Sequence, residues 1–228
     1  MKRFFRLKII LFCLGFFVLL AGGLRAQTIV DKTVATVGDG IGDSQLITYS
    51  DLLWTLALQP GVPLDPPTSE DVNRALQLQI NQRLFALEAE RVPRAAPTEA
   101  EIAAEITRVL ALFPSTFEFE KRLRTVGFDS VKDDNFERIM AQRVAIEKYI
   151  EFRFTSFIVI TPEDEAKYYR EVFTPEFRRK NPGLLLPPLD EARTRINQIL
   201  TEQKKAGDIE KFLDFSKRRS EIIVLSEV

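Results

Sequence analysis

The sequence predicts a mainly α-helical domain closed by a small antiparallel sheet, and three observations carry that prediction. N-cap signatures recur six times between residues 48 and 164, the apolar residues between them keep a helical period, and β-branched stretches stand near both ends of the chain. In each signature a hydroxyl is followed three residues on by an acid, so that the two side chains satisfy backbone N–H groups orphaned at a helix start. The pairs are Thr48 with Asp51, Thr68 with Asp71, Thr98 with Glu101, Ser115 with Glu118, Ser130 with Asp133 and Thr161 with Asp164.

In chain order, residues 1–26 have a basic start (Lys2, Arg3, Arg6, Lys8), an apolar run from Ile9 to Ala21 and small residues up to Ala26. This is the layout of a secretory signal peptide. The run holds 13 residues, short of the roughly 20 that span a bilayer. Export with cleavage after Ala26 is therefore expected, with an uncleaved leader as the alternative. The stretch "TIVDKTVATVGDGIGDSQLITYSDLL", residues 28–53, then places β-branched residues on both sides of "GDGIGD", Gly38 to Asp43. Glycines there supply the positive φ of a hairpin turn. A dinucleotide loop would need Gly where Asp43 stands, and a calcium loop would need acids at alternate positions with a distal Glu.

The helical period appears next. Leu76, Ile80, Leu84 and Leu87 form one stripe, Ile102, Ile106, Val109 and Leu110 a second, and Phe136, Met140, Val144 and Ile150 a third. Gly127 is placed to end the segment begun at Ser115. A helix from about Ser130 to Phe157, about 40 Å long at 1.5 Å per residue, is the predicted central strut. Pro162 suits the first turn of the helix capped by Thr161. Prolines mark "QPGVPLDPPTS", "VPRAAPT" and "FTPEFRRKNPGLLLPPLD" as loops, the last from Phe173 to Asp190. A helix follows Pro188 to about Arg219, with a kink possible at Gly207, and "SEIIVLSEV" closes the chain as a strand.

A hairpin alone is marginal in water and leaves an edge open. Ile222 to Leu225 are therefore expected to add a third strand and bring both ends of the domain into one sheet. Burial of three or four of these side chains, at about 1.5–3 kcal/mol each, would make the strand essential, so that truncation after Ser220 unfolds everything. The expected organisation is a leader over 1–26 and one domain over 27–228. That domain comprises a helical core (27–172), a Pro-rich loop (173–189) and a C-terminal helix and strand (190–228).

Composition excludes several functions. Subtracting the five cations of residues 1–26 from 32 leaves 27 against 33 acids, a net charge of −6. Nucleic acid is then an unfavourable partner, because its binding rests on a basic surface that releases counterions. The single cysteine, Cys13, lies in the leader, so the secreted part has no disulfide. Histidine is absent, which removes Ser-His and Cys-His nucleophile pairs and histidine bases, and with cysteine also gone removes structural zinc sites. No catalytic residue, metal or cofactor is assigned. The acid pairs Asp133–Asp134 and Glu163–Asp164 stand at helix starts, where they complement the helix dipole.

The aromatic residues are the candidate binding set: Trp54, Phe113, Phe117, Phe119, Phe128, Tyr168 and Phe173. Most such rings pack in cores. Phe117 and Phe119, however, are two apart and cannot share one helix face, so one of them is expected outside the core.

The ordered parts resemble a known family. A leader, "IVDKTVATVGDG…LITYSDL", a helix with "LQLQINQRLFALEAER", then "PTEAEIAAEI", "FEFEKRLRTVGF", a long helix and "ITPEDEAKYYRE" resemble the N-terminal chaperone module of SurA-type periplasmic folding factors. The resemblance runs from about Ile29 to Arg170, and the last helix and strand look like the family's C-terminal piece. It implies a SurA N-terminal-like fold and a periplasmic, ATP-independent holdase for unfolded clients, above all outer-membrane proteins. Many relatives carry a parvulin prolyl isomerase domain of about a hundred residues, an ordinary domain size, where this chain has only residues 173–190. Parvulin sites also use histidines. The expectation is a chaperone without isomerase activity, with a peptidyl-prolyl isomerase or a membrane-anchored envelope scaffold as alternatives.

Overall fold

The computed structural model describes residues 31–38, 44–91 and 96–226. The leader with Cys13, the residues up to Val30 and most of the "GDGIGD" turn lie outside the described residues. The described residues from Thr33 onward belong to one compact unit.

β-Branched residues on both sides of the turn build β1 (Thr33–Gly38) and β2 (Gln45–Thr48), which pair antiparallel with Ala35 opposite Ile47, Thr36 opposite Leu46 and Val37 opposite Gln45. The register slips between Thr33 and Ala35, a bulge that lets Val34 and Ala35 both be buried. On the other side of β1 lies β3 (Glu221–Val224), also antiparallel, giving the order β2–β1–β3. The two ends of the domain thus meet in one sheet. Ala35, Val37, Ile47 and Ile222 turn to the core, while Thr36, Leu46 and Ile223 share the outer face.

Helices follow the caps closely. α1 (Tyr49–Ala57) and α3 (Glu99–Leu110) begin with reciprocal capping boxes at Thr48/Asp51 and Thr98/Glu101. Thr68 caps α2 (Ser69–Glu90), and Ser115 caps α4 (Thr116–Thr125). α4 ends in a Schellman motif: Gly127, with φ +96°, donates to the Arg124 carbonyl and Phe128 donates to that of Leu123. One cap differs from its expectation. α5 (Asp134–Ile150) is capped by Asp133, whose carboxylate accepts from the Asn135 and Phe136 N–H groups. Ser130 instead accepts from Lys132 in the preceding turn. The tighter acid two residues before Asn135 outcompetes the hydroxyl, and the helix starts four residues later than the sequence predicts.

Past Ile150 the chain widens into a π-helical turn, Glu151–Thr155, and stops short of Phe157. The Thr161 capping box then starts α6 (Pro162–Tyr168), with Pro162 in its first turn. A second π-helical turn (Tyr169–Phe173) carries this helix directly into α7 (Thr174–Lys180). Much of the stretch expected to be a Pro-rich loop is therefore helical, and the irregular chain is confined to residues 181–188. The π turn explains how Pro175 is accommodated. In an α-helix its ring would clash with the carbonyl four residues back, whereas i→i+5 spacing just before it moves that carbonyl aside. α8 (Leu189–Arg219) is unbroken through Gly207.

Three apolar clusters hold these elements. The first lies under the sheet and joins Val34, Val37 and Ile47 to Leu52, Leu56, Leu76, Ile80 and Leu84 of α1 and α2. In the second, Phe119 and Leu123 of α4 meet Val109, Phe128, Phe136 and Met140. The third sets Phe85, Ile146, Tyr149 and Phe154 against Phe212 and Leu213 of α8. The fold is mainly helical, with its small sheet formed by the N-terminal hairpin and the C-terminal strand. Only Ile222 of the last strand packs on the core, whereas Ile223, Val224 and Leu225 are exposed, fewer buried side chains than the sequence led one to expect.

Candidate functional site

Helical spacing divides the aromatic residues sharply. Phe119 is fully buried, with its ring centroid 4.6 Å from Phe113 and 5.9 Å from Phe136. Phe128 sits 5.0 Å from Trp54 and is also buried, and the half-buried Trp54 donates from Nε1 to the Val126 carbonyl at 3.0 Å. Phe113, Phe119 and Phe128 are therefore core side chains and offer no surface to a partner; packing around Phe136 decides this. Phe117, two residues from Phe119, is 67% exposed, as the helix geometry required. Tyr168 and Phe173 are half-buried on the α6–α7 helix, where Tyr169, Phe173 and Phe177 stack at 5.6 and 5.9 Å. The seven candidates belong to separate parts of the fold: Trp54, Phe113, Phe119 and Phe128 join one cluster, Phe117 stands on the outer face of α4, and Tyr168 and Phe173 lie in the α6–α7 stretch.

A different aromatic group is presented to solvent. Phe152 and Phe157 pack edge to face at 5.9 Å, and Phe157 is 70% exposed beside the exposed Val159. Phe152 lies within the π turn and Phe157 just beyond it. Phe154 points inward to Phe85, Tyr149 and Phe212, and its neighbour Phe152 turns outward. The spacing "EFRF" carries the same two-apart signal as "FEFE".

Phe152 lines a groove of about 770 Å³ between α3 and α5, whose apolar floor is Ala104 and Val144. Its rim is charged, and each charge is answered. Lys148 Nζ lies 2.9 Å from Glu101, Arg143 Nε lies 2.8 Å from the buried Glu105, and Arg108 bridges Glu105 and Glu147. The Thr98 N–H and Lys148 together hold the Glu101 carboxyl down to about 2. Arg108 holds Glu147 below the usual carboxylate range, and in return Glu147 and Glu105 raise the guanidinium's pKa. Charges so paired are already satisfied, so the rim frames the apolar floor without demanding a charged ligand. A second, smaller pocket of about 340 Å³ lies among α1, α2 and α5, lined by Trp54, Leu58, Leu78 and Ile139 together with Gln82 and Arg83.

Among the described residues, no group of His, Cys, Asp or Glu is placed to hold a metal ion. No helix there is long and apolar enough to cross a membrane. No family model matches the chain, and no curated protein matches it.

Proposed function

We propose that this chain is an ATP-independent chaperone of the cell envelope, a holdase for unfolded polypeptides such as outer-membrane proteins. The observation that carries the reading is the exposed Phe152–Phe157 pair, of which Phe152 lines a groove with an apolar floor and a neutralised rim. Contiguous exposed apolar surface is unusual on a monomer and marks a place where another apolar surface docks. An unfolded segment gains about 1.5–3 kcal/mol for each large side chain it buries, so a few such contacts give weak, reversible binding. Binding only the unfolded state opposes aggregation by mass action, and the net negative charge of the secreted part keeps a loaded complex soluble. The leader layout of residues 1–26 supports the envelope as its compartment.

The test is dilution of a urea-denatured β-barrel protein into buffer with a several-fold excess of the chain. Light scattering is expected to fall, and to recover when Phe152 and Phe157 are both changed to Ser. Unchanged scattering with the unaltered protein overturns the reading. A protease-coupled assay on a proline tetrapeptide distinguishes an isomerase, for which a rate at background is expected.

A further inference from the structure

The sheet ends in an edge that natural proteins normally blunt. β3 pairs with β1 on one side only, and no described strand lies on its other side. Natural edges are protected by charge, proline or a covering element because an open row of N–H and C=O groups templates pairing with any extended chain. Here Ile223 is 44% and Val224 53% exposed, and Leu225 follows, also exposed.

The register shows which backbone groups are open. Leu225 donates its N–H to the Val34 carbonyl at 2.9 Å. Hydrogen-bonded and non-hydrogen-bonded pairs alternate along an antiparallel ladder. Ile223 opposite Thr36 and Glu221 opposite Gly38 therefore face β1 with their backbone groups. Ile222 and Val224, opposite Val37 and Ala35, point theirs away from the sheet. Two donors and two acceptors at strand spacing thus line the open edge.

The side chains say what fits. On the inner face Ile47, Ala35 and Val224 lie in one row, with Ile47 and Ala35 fully buried and Val224 left at its open end. On the outer face Leu46, Thr36 and Ile223 form another row with apolar residues at both ends. An added strand extends both rows, and an apolar residue in each completes it. A second copy of the chain is a poor occupant: a four-residue edge buries far less than the roughly 1,200 Å² that a stable interface needs.

We infer that the open edge of β3 is a strand-addition site that captures an extended, apolar segment of an unfolded polypeptide through the backbone groups of Ile222 and Val224. This rests on the chaperone reading and names a second way of holding the client. Main-chain pairing reads extended conformation more than sequence, which suits a site that meets many clients.

The experiment is amide hydrogen exchange on the whole protein with and without a short synthetic peptide alternating valine and threonine, then with the denatured β-barrel protein. The Ile222 and Val224 amides are expected to exchange freely alone and to become protected with either ligand, while Ile223 is protected throughout. Val224→Pro removes one outward N–H while fixing φ at 224; Ile223 is expected to stay protected in this variant, and the peptide to bind about tenfold more weakly. Val224→Thr keeps the N–H and should bind as the unaltered protein does. Exchange at both amides unchanged by peptide and client, with aggregation still suppressed, overturns the edge site and leaves the chaperone reading intact. Protection without aggregation suppression supports the edge and sinks the chaperone reading. Protection that rises with protein concentration alone shows a second copy there and overturns the proposal.

Discussion

Phe117 and Phe119 differ by two positions and by nearly their whole environment, so the same substitution has opposite meanings at each. Phe119→Ala empties a site packed by Phe113 and Phe136 and is expected to cost about 3–5 kcal/mol, read as a lower urea midpoint. Phe117→Ala is expected to stay within about 0.5 kcal/mol of the unaltered protein in the same measurement. Glu101 allows a pH test. Its folded carboxyl is depressed to about 2 by the Thr98 N–H and Lys148, so its contribution is present above the ordinary value of about 4.3 and is lost as pH falls towards the depressed one. Glu101→Gln should therefore lower the melting temperature at pH 7, and the gap should narrow steadily below about pH 4 as the unaltered protein loses the same contribution. A gap that stays constant down to about pH 2.5 contradicts the assignment.

At the scale of elements, helix ends are held by neighbours as much as by their own caps. Arg122 of α4 donates to the Leu56, Ala57 and Gln59 carbonyls at 3.0, 3.2 and 3.0 Å, adding side-chain donors at the end of α1, where carbonyls run short of intrahelical partners. Arg122→Ala is expected to cost about 1–3 kcal/mol, because three charge-assisted hydrogen bonds to part-buried carbonyls are lost. Arg122→Lys should recover only part of this, since one ammonium cannot reproduce the planar fork. α8 offers the reverse case. Gly207 is helical, and a methyl group added at its Cα would meet nothing within 4 Å, so Gly207→Ala is expected to stabilise by about 0.5–1 kcal/mol, visible as a higher melting temperature.

For the whole molecule, β3 joins the C-terminus to the first strand, and its removal tests how much the closure contributes. Truncation after Ser220 loses the β1–β3 ladder and the packing of Ile222, while three of the lost apolar side chains were already exposed. The expected loss is about 2–4 kcal/mol, a part of the roughly 5–15 kcal/mol of an ordinary domain. The truncated protein should still fold and melt cooperatively, roughly 5–15 °C lower, and should aggregate more readily because β1 becomes an edge. A melt within about a degree of the full-length protein would show that closure contributes nothing.

Five of the six helix starts, the Gly127 stop and the pairing of the first and last strands were legible in the sequence because each rests on local chemistry: a cap side chain within three residues, a positive φ, a β-branched run. The outward turn of one member of Phe117/Phe119 was legible for the same reason, since helix periodicity alone requires it. Tertiary structure decided the rest. Whether Phe113 and Phe128 were surface or core depended on α5 arriving with Phe136, a contact the spacing of α4 does not contain. Pro175 reads as a loop by its own propensity, yet a π turn and the docking of α6 against α8 keep it helical. The two-apart spacing of Phe152 and Phe154 sends one of them outward, but that it is Phe152 rests on Phe154 packing against Phe85 of α2 and Phe212 of α8, contacts that no residue pattern within the turn contains.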